Sequence, residues 1–178
     1  MSSLPPITPT LKKLKTYFNL ARQIAKSGNE KAVLCGWLLR RHAVITGSQL
    51  PAAKAGDGLA FVIAAIDMLE REKALLPNVS NEEANLEILQ VFAFKTFKMA
   101  EKRFESGETN KATALIYLNA SFLFECLIST AGGEQSQHIP VTQFKTLKQA
   151  CQVQSREIVQ AFKEGRPAVS KIGGNAPS

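Results

Sequence analysis

Apolar residues recur every three or four positions through most of the chain, and no clean two-residue alternation bounded by hairpin turns is found. That pattern predicts helices and no strands. The first helix is expected from Thr8, as N-cap, and Pro9, with Leu11, Leu14, Phe18, Ala21 and Ala25 on one face and Gly28 at its end. A second runs from about Asn29 to Thr46 and closes at Gly47. The loop 47–58 carries glycine and proline, and a third helix spans about Leu59 to Leu76, stopped by Pro77. Ser80 and Glu83 have capping-box spacing at the head of a fourth helix that reaches about Phe104. Helices from about Asn110 to Thr130 and from about Val141 to Lys163 follow, with breaks at Gly107 and Gly165.

Six helices in two groups of three predict an all-α fold: two tandem three-helix bundles packed in one elongated unit. The expected boundaries are 1–77 for the first bundle, 78–166 for the second and 167–178 for a flexible tail. The two groups repeat a pattern. Ala21 to Gly28 has the same spacing as Ala100 to Gly107, and after each glycine an alanine precedes an aromatic residue by five positions, Ala32 to Trp37 and Ala112 to Tyr117. Small residues let two antiparallel helices approach closely, and the glycine makes the turn.

Composition narrows the class. At 45% hydrophobic and 21% charged residues, the 178-residue chain is globular, with length enough for a real core. No run of about 18 apolar residues is present, so no membrane span is expected, and the N-terminus does not read as a signal peptide. Cys35, Cys126 and Cys151 are scattered among apolar residues, which fits packed thiols in a reducing compartment rather than a disulfide framework. Two histidines and no C-x-x-C pair leave no expected metal site, and no cofactor is expected. Nucleophile-elbow, Walker and zincin motifs are absent, and Glu82, Glu83 and Glu87 sit where they complement a helix dipole. An enzyme is not expected.

The net charge of +7 is lopsided. Eleven Lys and Arg face five Asp and Glu in residues 1–80, against eleven and ten in residues 81–178. A basic first half attracts an acidic partner, whether nucleic acid, an anionic membrane surface or an acidic protein helix. The phenylalanines at 92, 94, 97 and 104 fall at core spacing rather than as a stacking platform, and no nucleic-acid motif accompanies them. The third helix carries two apolar stripes, Val62, Ile66 and Leu69 on one and Phe61, Ala65, Met68 and Leu75 on the other. One serves the core of its own bundle; the second is either packed or a groove for a partner helix.

Several segments resemble a known family. The leader "LPPI" at 4–7, "RRHAVITG" at 40–47, the phenylalanine-rich stretch 91–127 and the closing "FKEGRPAVSKIGG" occur in this order, and the Ala…Gly…Ala…aromatic hairpins are similar to those of MIT domains. Together they resemble the N-terminal tandem-MIT region of the Vta-one family, the LYST-interacting protein five family of animals. The resemblance implies an adaptor that binds acidic amphipathic C-terminal helices of ESCRT-III subunits. It would couple ESCRT-III filaments to their disassembly AAA ATPase in multivesicular body sorting, in the cytoplasm and peripherally on endosomal membranes. The resemblance also implies an ATPase-binding C-terminal region, which is expected to lie outside these 178 residues. By position, the first module's groove would use Arg40, Val44, Ile66, Leu69 and Lys73, and Leu69→Asp would abolish binding while leaving the fold intact. The second module would use Phe144, Leu147 and Lys148. Where the family often has a tryptophan on the last helix, this chain has Leu147. The other reading is a structural helical-repeat scaffold without a peptide groove.

Overall fold

The computed structural model describes residues 4–7, 11–132 and 140–172, so the expected cap at Thr8 and Pro9 lies outside the described residues. Among the described residues six α-helices follow in order: α1 Lys12–Ala25, α2 Glu30–Ser48, α3 Gly56–Lys73, α4 Glu82–Glu105, α5 Lys111–Thr130 and α6 Val141–Glu164. A 3-10 turn at Pro51–Ala53 joins α2 to α3. Among the described residues there is no strand. The chain divides into two compact units, residues 1–88 and 89–178, so α4 runs across the division.

Local chemistry sets the helix ends. The Asn29 side chain accepts from the N–H groups of Lys31 and Ala32 and starts α2; Asn110 accepts from Thr113 and starts α5. The start of α4 differs from expectation. Its cap is Asn81, whose Oδ1 accepts the Ala84 N–H at 3.1 Å, rather than a box between Ser80 and Glu83. Asn81 stands one position nearer the helix than Ser80, and its side-chain oxygen reaches the third free N–H directly. At the end of α6, Gly165 takes φ 64°. Its N–H bonds to the Phe162 carbonyl at 3.3 Å and the Arg166 N–H to the Ala161 carbonyl at 3.0 Å. This is a Schellman ending, with Pro167 to prevent continuation.

In the first unit α1 and α2 pack closely through small residues. A Cβ on Gly36 would stand 2.9 Å from the Ala21 carbonyl oxygen and 3.2 Å from the Ala25 Cβ. Phe18 of α1 meets Phe61 of α3 edge-on at 6.0 Å, with Leu14, Ala21, Leu39 and Ala65 buried as well. In the second unit Phe94, Phe124 and Phe144 bring α4, α5 and α6 together at centroid distances of 5.5 to 6.1 Å. Tyr117 donates to Glu101 of α4 at 2.5 Å, and Ser155 of α6 donates to the Ala114 carbonyl at 2.8 Å. Burial, then the Glu101 carboxylate, push the Tyr117 hydroxyl far above its usual range.

By length and composition α5 is long and apolar enough to cross a membrane, although no span was expected from the sequence. Its apolar side chains Tyr117, Leu123, Phe124 and Leu127 are instead buried, and its face also carries the buried polar residues Thr113, Asn119 and Ser121.

Candidate functional site

In the first unit two contacts clamp α2 to the C-terminal half of α3. The Trp37 indole N–H donates to the Leu69 carbonyl at 3.0 Å. Arg40 donates through both terminal nitrogens to the two carboxylate oxygens of Glu72, at 3.1 and 2.5 Å. This fork-to-fork geometry is the strongest form of such a pair, so Arg40 is already engaged within its own unit. Val44 and Leu69 are buried, at 2% and 5% exposure. Neither side chain is presented to a partner, and Leu69→Asp is a core substitution rather than a clean probe of a groove. Of the five residues expected here, Ile66, at 45% exposure, and Lys73 face outward.

Ile66 has company that the sequence reading missed. Leu59 and Ile63 are also exposed, at 39% and 51%. The spacing of four and then three places all three on one face of α3, with Glu70 and Lys73 continuing it. The signal was in the spacing, but the stripes were drawn through Val62 and Phe61, which the core takes. On α2, exposed Ile45 lies one turn from Arg41, whose guanidinium sits 5.8 Å from the Trp37 ring centroid.

In the second unit Phe144 is fully buried and stacked on Phe124. Burying such a ring contributes roughly 1.5–3 kcal/mol, so Phe144 belongs to the core and not to a partner surface. Leu147 is half-buried, and Lys148 lies 3.5 Å from Glu125 of α5.

Another face of α6 is open. Leu118 of α5 and Arg156, Glu157, Val159, Gln160 and Lys163 of α6 line a groove together with Lys171. Lys171 comes from the segment after α6, where the flexible tail was expected from residue 167. The segment is instead strapped back onto α6. Gln154, 1% exposed, donates to the Val169 carbonyl at 3.1 Å and accepts the Lys171 N–H at 2.6 Å. Glu157 accepts from Arg166 at 2.6 and 3.2 Å and from the Val169 N–H at 3.1 Å. Arg166 and then the Val169 amide hold the Glu157 carboxyl down at about 2. Sequence gave no sign of this strap, because it depends on a glutamine and a glutamate one turn apart meeting backbone groups downstream.

Cys35, Cys126 and Cys151 are all buried and none is in a disulfide, and burial pushes Cys151 up to about 12. Among the described residues no group of three or more His, Cys, Asp and Glu is placed to hold a metal ion. What the two units offer chemically is surface: apolar rows flanked by charge.

Comparison with known proteins gives two findings. The family model described as Vta1 like matches residues 13–164. A vacuolar protein sorting-associated protein VTA1 homolog of Dictyostelium discoideum is 27% identical over 168 residues, 93% of this chain and 28% of that protein. The chain therefore spans less than a third of the relative's length.

Proposed function

Since the chain belongs to the Vta1-like family, we propose that it serves vacuolar protein sorting as a non-catalytic adaptor that holds acidic, leucine-bearing C-terminal helices of ESCRT-III subunits. The observation that carries this reading is the exposed row Leu59, Ile63 and Ile66 on α3, followed by Lys73. Three apolar side chains at helical spacing suit the leucines of an amphipathic helix laid alongside, and a terminal ammonium suits its carboxylates. The basic excess of residues 1–80 favours encounter with such a segment. Arg40 supports the site indirectly, because its pair with Glu72 fixes α2 against α3. In the whole protein, this binding would couple ESCRT-III filaments to their disassembly ATPase on endosomal membranes.

The test is calorimetric titration of the chain with C-terminal ESCRT-III peptides from the same organism. One peptide is expected to bind saturably at one to one, with affinity on the order of micromolar. Ile66→Asp should remove that heat while the far-ultraviolet circular dichroism stays unchanged. A folded chain that gives no heat with any peptide would leave a helical scaffold without a groove as the better reading.

A further inference from the structure

Helix α1 carries its charge differently from the helices that follow it. Its exposed side presents Lys12, Lys15, Asn19, Arg22 and Lys26, at steps of three and four that set them in one row along the helix. From Lys12 to Lys26 the row is about 21 Å long. The opposite side, with Leu14, Tyr17, Phe18 and Ala21, is buried. No Asp or Glu occurs in residues 1–29, and among the described residues none of the four cations of the row enters an ion pair. The charge also opposes the helix dipole. Helices α2, α3 and α4 have Glu30, Asp57, and Glu82 with Glu83 in their first turns, whereas α1 opens on Lys12 and Lys13 with no acid there. Cations at that end face the positive pole of the helix, and Arg22 one turn from Lys26 adds like-charge repulsion. A row that weakens its own helix and meets no carboxylate marks a surface for an anionic partner.

We propose that this row is a membrane-contact site, and that its occupant is the anionic surface of a lipid bilayer on which α1 lies flat. The row offers nothing for the leucines of a partner helix to cover: among the described residues, the exposed large apolar side chains of the first unit, Ile45, Leu59, Ile63, Ile66 and Leu75, all lie beyond α1. It offers no ring for a nucleic-acid base to stack on, since Tyr17 and Phe18 are buried. What it does offer is charge in a straight line, which matches a plane of anionic headgroups. Each Lys or Arg near such a surface is worth about fivefold in affinity, so the four act together and reversibly. With no apolar side chain to insert, the contact stays at headgroup level. The choice of a bilayer as occupant rests on the sorting reading above; the row rests on α1 alone. Phe18 of α1 meets Phe61 of α3 inside the unit. The cationic row and the exposed α3 row lie on separate helices, each on the side away from that contact, so neither blocks the other.

The test is sedimentation of the chain with phosphatidylcholine vesicles, with and without phosphatidylserine. Partition onto the phosphatidylserine vesicles alone is expected. It should be lost as salt rises from about 0.1 M to about 1 M, where the Debye length falls from about 10 Å to about 3 Å. Lys15→Gln with Arg22→Gln and Lys26→Gln should lower it about tenfold or more, with unchanged circular dichroism because all three side chains are exposed. Lys15→Arg with Arg22→Lys, which keeps the charge, should keep the binding. Trp37 is buried, so its fluorescence should not move when the chain binds; a shift would mean insertion or unfolding and overturn the flat contact. Ile66→Asp should leave vesicle binding intact, so this site and the α3 row can fail separately. No partition onto either vesicle, equal partition onto both, or partition untouched by the three glutamines overturns the site. Duplex DNA retained at a salt concentration that releases the vesicles, and lost with the same glutamines, would make the row a surface for a phosphate backbone and overturn the proposed occupant. Loss of an acidic peptide with those glutamines, without any vesicle binding by the parent chain, would overturn it in favour of a protein partner.

Discussion

Leu69 and Ile66 stand three positions apart on α3, and their fates differ. Leu69 is buried beside the carbonyl that accepts the Trp37 N–H, while Ile66 faces out. An aspartate at 69 would bury a carboxylate where an apolar side chain now packs. Leu69→Asp is therefore expected to lower stability by about 3 kcal/mol or more, read as a shift of the urea midpoint at unchanged slope. Ile66→Asp should move that midpoint by less than about 0.5 kcal/mol. If both variants unfold alike, Ile66 is core and the α3 row is not a surface. Gly58 allows a second test. A Cβ there would fall 1.8 Å from the Ala52 carbonyl oxygen. Gly58→Ala must then displace the 3-10 turn from α3, and should cost more than the helix-propensity gain of about 1 kcal/mol that alanine brings. A Gly58→Ala variant as stable as the parent would mean the turn is not held against α3. These distinctions were hidden in the sequence for a physical reason. Periodicity identifies an apolar face, but not where the core ends and the outward stripe begins. Phe144 shows the same limit: its position on the last helix was readable, and its place between Phe94 and Phe124 was not.

At the scale of elements, the helices were legible because their ends are written in local chemistry. Asn29, Asn110 and Gly165 each satisfy backbone groups within a few residues, so the signal lies in the same short window as the structure. The strap after α6 was not legible, because its partners Gln154 and Glu157 lie more than two turns upstream and carry no motif. Its pH dependence follows from Glu157. The carboxyl is held at about 2 against an ordinary value of 4.5. A carboxyl depressed in the folded chain stabilises it above the unfolded value, and this contribution is lost as pH falls through the folded one. The strap should therefore stay docked at pH 5 and above and release between about 4.5 and 2. The Val169 amide proton, which Glu157 accepts, reports this directly. Its NMR shift is expected to titrate with a midpoint near 2, and Glu157→Gln should abolish the titration. A midpoint near 4.5 would mean that Glu157 is free in solution and the strap is undocked.

At the scale of the whole molecule, the repeated hairpin was visible, and the two copies use their shared positions differently. Trp37 sends its N–H forward to α3, whereas Tyr117 sends its hydroxyl back to Glu101 on α4. Ala32 is buried, but its counterpart Ala112 is exposed. A shared spacing therefore specifies the hairpin and leaves its third helix to individual side chains. The division of the chain is the remaining question of this scale, since the compact units part between Ile88 and Leu89, inside α4. We expect the independently folding second module to begin before that point, in the 78–81 segment that caps α4. There Asn81 satisfies the helix start, and the Asn85 side chain donates to the Val79 carbonyl at 2.8 Å. A chain starting at Leu89 would lose that cap and two turns of helix, leaving the end of α4 frayed where Leu89 and Ala93 are fully buried. Residues 78–172 expressed alone should unfold cooperatively on heating, while residues 89–172 should show a lower, broader transition. The difference should exceed the loss of one helix cap, about 1 kcal/mol. Equal transitions for the two fragments would place the module boundary inside α4, and failure of both to fold would make the two units thermodynamically one.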